Sequence, residues 1–350
     1  MSEPAGDMSQ DSSKLTRRGA LGLFAAGAAT AYSSALRAAA PKASSVVRAP
    51  LTLVSRHLQW TDAERGIEVA KAAGFDGIAW TVRAGAHIEP ADVTRELPRL
   101  IKLTRAAGMA TPMIITGIRS VDSPEAKAIL TALAECGVTR YRLGAPRYDY
   151  SRALEPQFDA FRKEIEAIAA LNRQFGTTAL FHTHSYANTI GGSAWDLWML
   201  IRDLDPRFVG INYDIAHVMA KGGAGWRESS MAAHRHIHAL SVKDFRWVER
   251  ANAPAGEWPW QTEFVAPGEG MVNFADFFSY FRSIDFEGPI ETYCEYKVSV
   301  PGRAQPVDML GTDFRKWQLE MEPDRFISYL RRDADFYKGQ LVTAGFAVTG

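Results

Sequence analysis

The chain has 350 residues, 47% of them hydrophobic and 23% charged, with 40 basic and 40 acidic side chains. That length and apolar content suit one large domain or two small ones and exclude a disordered chain. Balanced charge removes any global field that would gather nucleic acid or an anionic membrane, and two cysteines, Cys136 and Cys294, are too few for a disulfide framework.

The first forty residues read as an address. Thr16-Arg17-Arg18 precedes an apolar run from Gly19 to Ala31, and Ala38-Ala39-Ala40 offers a small-residue cleavage site. Residues 1–40 resemble a twin-arginine export signal, with a linker over 41–50, and a periplasmic protein is expected that folds and takes up any metal before export. The apolar run falls short of the ~20 residues that a membrane span requires, so no stable membrane insertion is expected after signal removal.

From Leu51 one phrase recurs: an amphipathic segment, a glycine, then a β-branched or apolar run, as in AAGFDGIAW, AAGMATPMII, ECGVTRYRL and QFGTTALF. Val93, Leu97, Leu100 and Ile101, or Phe158, Phe161, Ile165 and Ile168, carry helical spacing, and the glycines read as helix ends. Gly74, Gly108, Gly137 and Gly176 are 34, 29 and 39 residues apart, the length of a βα unit. Strands are expected over 51–56, 77–82, 111–116, 139–143, 177–182, 208–213, 237–243 and 288–294. Eight strands alternating with helices predict a single (β/α)8 barrel over 51–340. A long loop at 244–272 reads as a lid or a dimer contact, 274–284 as a helix, 301–322 as an insertion, and 324–338 as the closing helix. A doubly wound sheet is the runner-up, but VSRHLQWTD after the first strand is no phosphate loop.

In such a barrel the chemistry sits at the carboxyl ends of the strands. Strand one ends near Ser55, His57 and Gln59, strand two runs into Arg83 and His87, and strand four carries Arg142 with Tyr148 beyond it. Strand five ends in FHTHS, which sets His182 and His184 on the same side. Strand six ends in YDIAH, where Asp214 and His217 converge, although Asp214 also reads as a helix cap. Lys243 is an inward cation on strand seven. On strand eight Glu291, Tyr293 and Glu295 share a face, with Glu295 nearest the mouth. Six tryptophans, Trp195, Trp198, Trp226, Trp247, Trp258 and Trp260, crowd the second half, and one or two of them are expected to stack on a sugar ring.

TVRAGAHIEP, the HTHS strand end, YDIAHVMAKGG, VKDFRW, APGEGMVNF and FEGPIETYCEY together resemble the xylose isomerase-like barrel superfamily, and within it the exported proteins labelled sugar phosphate isomerase/epimerase. The resemblance runs from about Leu53 to Tyr296. In the sugar epimerase branch a divalent ion is held by a strand-five Glu, a strand-six Asp, a strand-seven His and a strand-eight Glu. Asp214 and Glu295 match two of these; His184, or else His182, stands where the strand-five Glu would be, and Ser241 replaces the strand-seven His.

The resemblance therefore implies a three-ligand site of His184, Asp214 and Glu295, whose mixed donors suit manganese, cobalt or zinc better than magnesium or calcium. Such an ion would act as a Lewis acid on a sugar carbonyl while a base removes the proton α to it, through an enediolate. Glu295, His217, His182 and Lys243 are the candidates for base. His57, Arg83, His87, Arg142, Tyr148 and Trp247 are the candidate substrate contacts. The expected activity is that of a sugar isomerase or epimerase, with keto-glycoside lyase on the same site as the alternative and a non-catalytic exported sugar-binding barrel as the alternative of another class. A neutral sugar or an oxidised glycoside is the expected substrate. No nucleic acid partner is expected; a homo-oligomer is open.

Overall fold

The computed structural model describes residues 48–311 and 316–348, so the segment expected to be an export signal and most of the expected linker lie outside the described residues. The strands in chain order are β1 (Leu51–Val54), β2 (Gly77–Val82), β3 (Ile114–Thr116), β4 (Arg140–Arg142), β5 (Thr178–His182), β6 (Val209–Asp214) and β7 (Ile237–Val242). A hairpin, β8 (Asp244–Glu249) and β9 (Trp260–Val265), precedes β10 (Ile290–Thr292), and a small pair, β11 (Lys297–Val298) and β12 (Val307–Asp308), follows. The helices are α1 (Ala63–Ala72), α2 (Val93–Ala106), α3 (Ala126–Glu135), α4 (Leu154–Phe175), α5 (Trp195–Ile201), α6 (Ile215–Gly222), α7 (Trp226–Ala233), α8 (Phe274–Ser283) and α9 (Pro323–Thr343).

Eight parallel strands close in the order β1-β10-β7-β6-β5-β4-β3-β2. Closure is made where Leu51 pairs with Ile290 and Thr52 with Glu291, a contact that an open, doubly wound sheet lacks. The helical repeat ends as its glycines require: Gly74, Gly108, Gly137 and Gly176 follow α1 to α4 with φ between 65° and 84°, where a Cβ would be strained.

Strand alternation sorts side chains into two cores. In the layer between barrel and helices, outward-facing Trp80 bonds Thr104 of α2, and Tyr213 meets Phe277 and Phe281 of α8. Each fully buried ring there contributes roughly 1.5–3 kcal/mol of transfer free energy. Val54, Ala79, Met113, Ile115, Leu180, Ala239 and Tyr293 form a separate cluster inside the barrel. This plug fills the interior, and the functional residues continue the same inward rows above it.

The segment read as a loop over 244–272 contains the hairpin. Its strands pair from Asp244 with Val265 to Glu249 with Trp260. Proline and tryptophan density concealed two short β runs. Asp244 fastens the hairpin's return: Oδ1 accepts the Phe245 and Val272 amides, and Oδ2 those of Gly268 and Gly270, all within 3.1 Å.

Candidate active site

The carboxyl ends of the strands surround a cavity of about 610 Å³. The strand ends and the chain just beyond them supply its lining: Val54 of β1 and Arg56 after it, Thr81 of β2 and Arg83 after it, and Ile115 of β3 with Gly117 and Arg119 beyond. Arg142 and Gly144 follow on β4, His182 and His184 on β5, Lys243 after β7, and Tyr293 and Glu295 after β10.

The β5–β6 side brings the histidines together. Side-chain nitrogens of His182, His184 and His217 all lie within 4.8 Å of one another. Asp214 is fully buried and uses its two oxygens differently. Oδ1 caps α6 by accepting the His217 amide at 3.0 Å, while Oδ2 faces His182 Nε2 at 3.4 Å and has no hydrogen-bond partner. The helix-cap reading and the site reading of Asp214 both hold, one for each oxygen.

For His184 and His217, hydrogen bonds fix which nitrogen carries the proton. His184 Nδ1 donates to the His182 carbonyl at 3.0 Å, so the lone pair sits on Nε2, which Arg142 Nη2 approaches at 3.3 Å. His182 turns Nδ1 toward Glu291 Oε1 at 3.6 Å and Nε2 toward Asp214. His217 is the reverse. Its Nδ1 accepts the Ser185 amide at 3.1 Å, which leaves the proton on Nε2, 4.0 Å from Asp214 Oδ2. Burial holds all three imidazoles well below their ordinary pKa, hence neutral.

The acids are matched by protein cations. Lys243 Nζ bonds Glu295 Oε2 at 2.7 Å and lies 3.4 Å from Asp214 Oδ2. Burial acts to lower the lysine pKa and to raise that of Asp214, but their mutual attraction outweighs it, and both stay charged. Deeper still, Glu291 accepts from Asn212 Nδ2 at 2.5 Å and lies 3.6 Å from Arg142, which also bonds the Tyr293 hydroxyl. Burial raises the Glu291 carboxyl to about 7 despite Arg142.

A divalent ion fits this donor set. His184 offers Nε2 with Nδ1 anchored on a carbonyl, and His182 offers Nε2 with Nδ1 facing a carboxylate, which is the outer-shell arrangement that orients metal-binding histidines. Asp214 Oδ2 adds an orphaned buried oxygen beside them. The side chains that converge are those of His182, His184 and His217 with Asp214 Oδ2 beside them, and Glu295 bonds Lys243.

Of the other expected residues, Arg83 and Arg142 line the cavity and four do not. His57 is buried behind β1, accepting the Cys294 amide on Nε2 at 3.1 Å, with Nδ1 near the Met309 carbonyl; burial lowers its pKa to about 4. His87 packs edge-on against Trp80 with Nε2 near the Thr61 carbonyl. Tyr148 donates to Asp196, and Trp247 is on the hairpin surface. None of the six tryptophans lines the cavity, where the aromatic groups are Tyr186 and Tyr293. Sequence reasoning missed Arg56, Arg119, Arg147 and Tyr186 as lining residues. Strand parity could not have found Arg56 or Arg119: Ser55–Leu58 is a 3-10 turn and residues 117–119 lie beyond the end of β3.

A closed (β/α)8 barrel with a polar cavity at its carboxyl mouth defines the class. Residues 67–313 match the model for the xylose isomerase-like TIM barrel, and the chain belongs to that family. No curated protein matches the sequence. Among solved structures, L-ribulose 3-epimerase is similar at TM-score 0.60 and 15% identity, covering 85% of this chain and 95% of that one. The 3-keto-D-glucoside 4-epimerase of E. coli has TM-score 0.56 and 14% identity, with 81% and 100% covered. The IolI protein with a bound zinc atom has TM-score 0.59 and 13% identity, with 83% and 98% covered. At such identities the likeness shows the fold.

Proposed function

We propose that this protein is a sugar isomerase or epimerase that abstracts the proton α to a carbonyl with the help of a divalent ion held by His182, His184 and Asp214. The observation that carries this reading is the convergence of three imidazoles beside Asp214, in which His184 presents the Nε2 lone pair and His217 an N–H. Two proteins of similar fold are named epimerases, and a third holds zinc.

The ion, when bound, supplies Lewis acidity toward a carbonyl oxygen. Glu295, bonded to Lys243 at the mouth, is the base for the α proton, and the C–H electron pair passes into an enediolate. His217 Nε2–H is the acid that returns a proton, either to the carbon framework or to a leaving oxygen, so the same first step serves elimination from a keto-glycoside. Tyr186, half exposed at the rim and stacked on His184, offers a ring face to the sugar. Lys243 donates to Glu295 and holds the two acids in place.

The test is elemental analysis by inductively coupled plasma mass spectrometry together with deuterium exchange at the α carbon of ketoses and keto-glycosides in D2O. About one manganese, cobalt or zinc per chain is expected, lost in Asp214→Asn. Glu295→Gln is expected to keep the ion and to lose exchange by 10²-fold or more. An ion retained in full by Asp214→Asn removes the ligand assignment, and exchange unchanged in Glu295→Gln removes the base.

A further inference from the structure

The acids of the cavity have cationic partners inside the protein, whereas Arg83 and Arg147 on its other side bond only neutral oxygens. The lining carries Arg56, Arg83, Arg119, Arg142 and Arg147 against a single carboxylate, Glu295, which Lys243 already holds. Arg142 is spent on Glu291, Tyr293 and His184. Among the described residues no carboxylate comes within ion-pair distance of Arg83, Arg119 or Arg147. Arg83 gives Nε and Nη2 to the Thr116 carbonyl at 2.9 and 2.7 Å, and Arg147 gives Nη1 to the Asn188 amide oxygen at 3.2 Å. Both bonds leave the positive charge uncompensated.

Solvated arginines scattered on a surface would need no explanation, but these converge on one concavity. Space is cut for them: a Cβ at Gly144 would lie 2.8 Å from Arg119 Cγ, so the glycine lets that stem lie across the end of β4. Arg83 feels the arrangement. Burial first, then the fields of Arg142, Arg56 and Arg119, lower its guanidinium to about 10. Gathering like charges in a cavity is unfavourable until an anion relieves the repulsion.

The nearby backbone argues for a small planar anion. The Arg119 and Ser120 amides both donate to Ser123 Oγ, at 2.9 and 3.0 Å, and the Gly144 amide donates to the Ile118 carbonyl at 2.7 Å. These three amides are thus taken by the protein itself, and guanidinium forks match a carboxylate edge to edge.

We infer that Arg83, Arg119 and Arg147 bind a carboxylate on the substrate, so that this site handles a sugar acid, of the uronate or keto-aldonate kind, and not a neutral sugar. The inference rests on reading the cavity as a sugar-processing site and names its substrate class. It replaces the neutral sugar expected from sequence. The carboxylate end of the substrate lies on the β2–β4 wall, and its reacting carbons lie toward His182, Asp214 and Glu295.

Isothermal titration of the full chain with D-glucuronate, D-glucose and D-glucose 6-phosphate, without turnover, tests it. Glucuronate is expected to bind at least tenfold tighter than glucose at low salt, with an advantage that shrinks as ionic strength rises. The double variant Arg119→Gln/Arg147→Gln, both exposed and so harmless to folding, is expected to lose about tenfold for glucuronate and nothing for glucose. Gly144→Ala, which displaces the Arg119 stem, is expected to lose part of the same preference. Equal binding of glucose and glucuronate, tighter binding of glucose 6-phosphate than of glucuronate, or an undiminished preference in the double variant would each overturn the inference. Failure here leaves the proton-abstraction reading intact, whereas anion binding without α-proton exchange removes that reading and leaves this one.

Discussion

The two walls of the barrel mouth are built on opposite electrostatic principles. On the β5–β7 and β10 side, Asp214, Glu291 and Glu295 are buried or half-buried, and Lys243 and Arg142 from other strands neutralise them. On the β2–β4 side, Arg83, Arg119 and Arg147 face the cavity without acids. The acid wall is a finished structure whose charges stabilise one another, and the arginine wall is complete only with a ligand. Removing a charge from the first should therefore cost folding, and removing one from the second should cost binding.

The largest expected effect breaks the finished wall. Lys243→Met leaves Asp214 as an unpaired buried carboxylate, and urea unfolding should show a loss of about 3–5 kcal/mol. A loss below about 1 kcal/mol would mean that water already compensates Asp214. Next comes His57, which braces β1 against the chain after β10. Its folded pKa of about 4 lies under the ordinary 6.5, so between those values the unfolded chain binds a proton that the native state refuses. Stability from this group is therefore lost as pH falls through that window, by about 3 kcal/mol in total. Glu291, raised to about 7, works with the opposite sign as pH rises from about 4.5 to 7, so the wild type must be compared with His57→Asn at each pH. The acid-induced loss should shrink in that variant; identical profiles would show that another group drives it.

On the arginine wall, Arg119→Gln alone should shift thermal stability by no more than about 0.5 kcal/mol, the usual range for an exposed position, while lowering carboxylate affinity. A stability loss as large as that of Lys243→Met would erase the distinction between the walls. The smallest effect serves as a control away from both. The exposed pair Arg246–Glu263 on the β8–β9 hairpin, at 2.6 Å, should contribute about 0–1 kcal/mol in a double-mutant cycle.

Much of this was legible along the chain. Period-3.6 segments closed by Gly74, Gly108, Gly137 and Gly176, each followed by a β run, determined the barrel, because both patterns are local. Alternation also determined that His182 and His184 share a face and that Glu291, Tyr293 and Glu295 share another. It misled after β1, where a strand was expected to run to 56: the chain turns into a 3-10 helix at Ser55–Leu58, which puts Arg56 on the cavity and buries His57. The hairpin at 244–265 was hidden because its pairing is set by cross-strand contacts and not by composition.

Closure of the barrel decided the rest. The proton on His217 Nε2 depends on Ser185, 32 residues away; the ionised state of Asp214 depends on Lys243, 29 residues on; and Arg142 reaches Glu291 across 149 residues. The sequence by itself determined which residue types stand at the strand ends, because backbone periodicity is read from neighbours. Only the tertiary structure decided which charges cancel and which remain for a ligand, because those interactions act through space between strands that are remote in sequence.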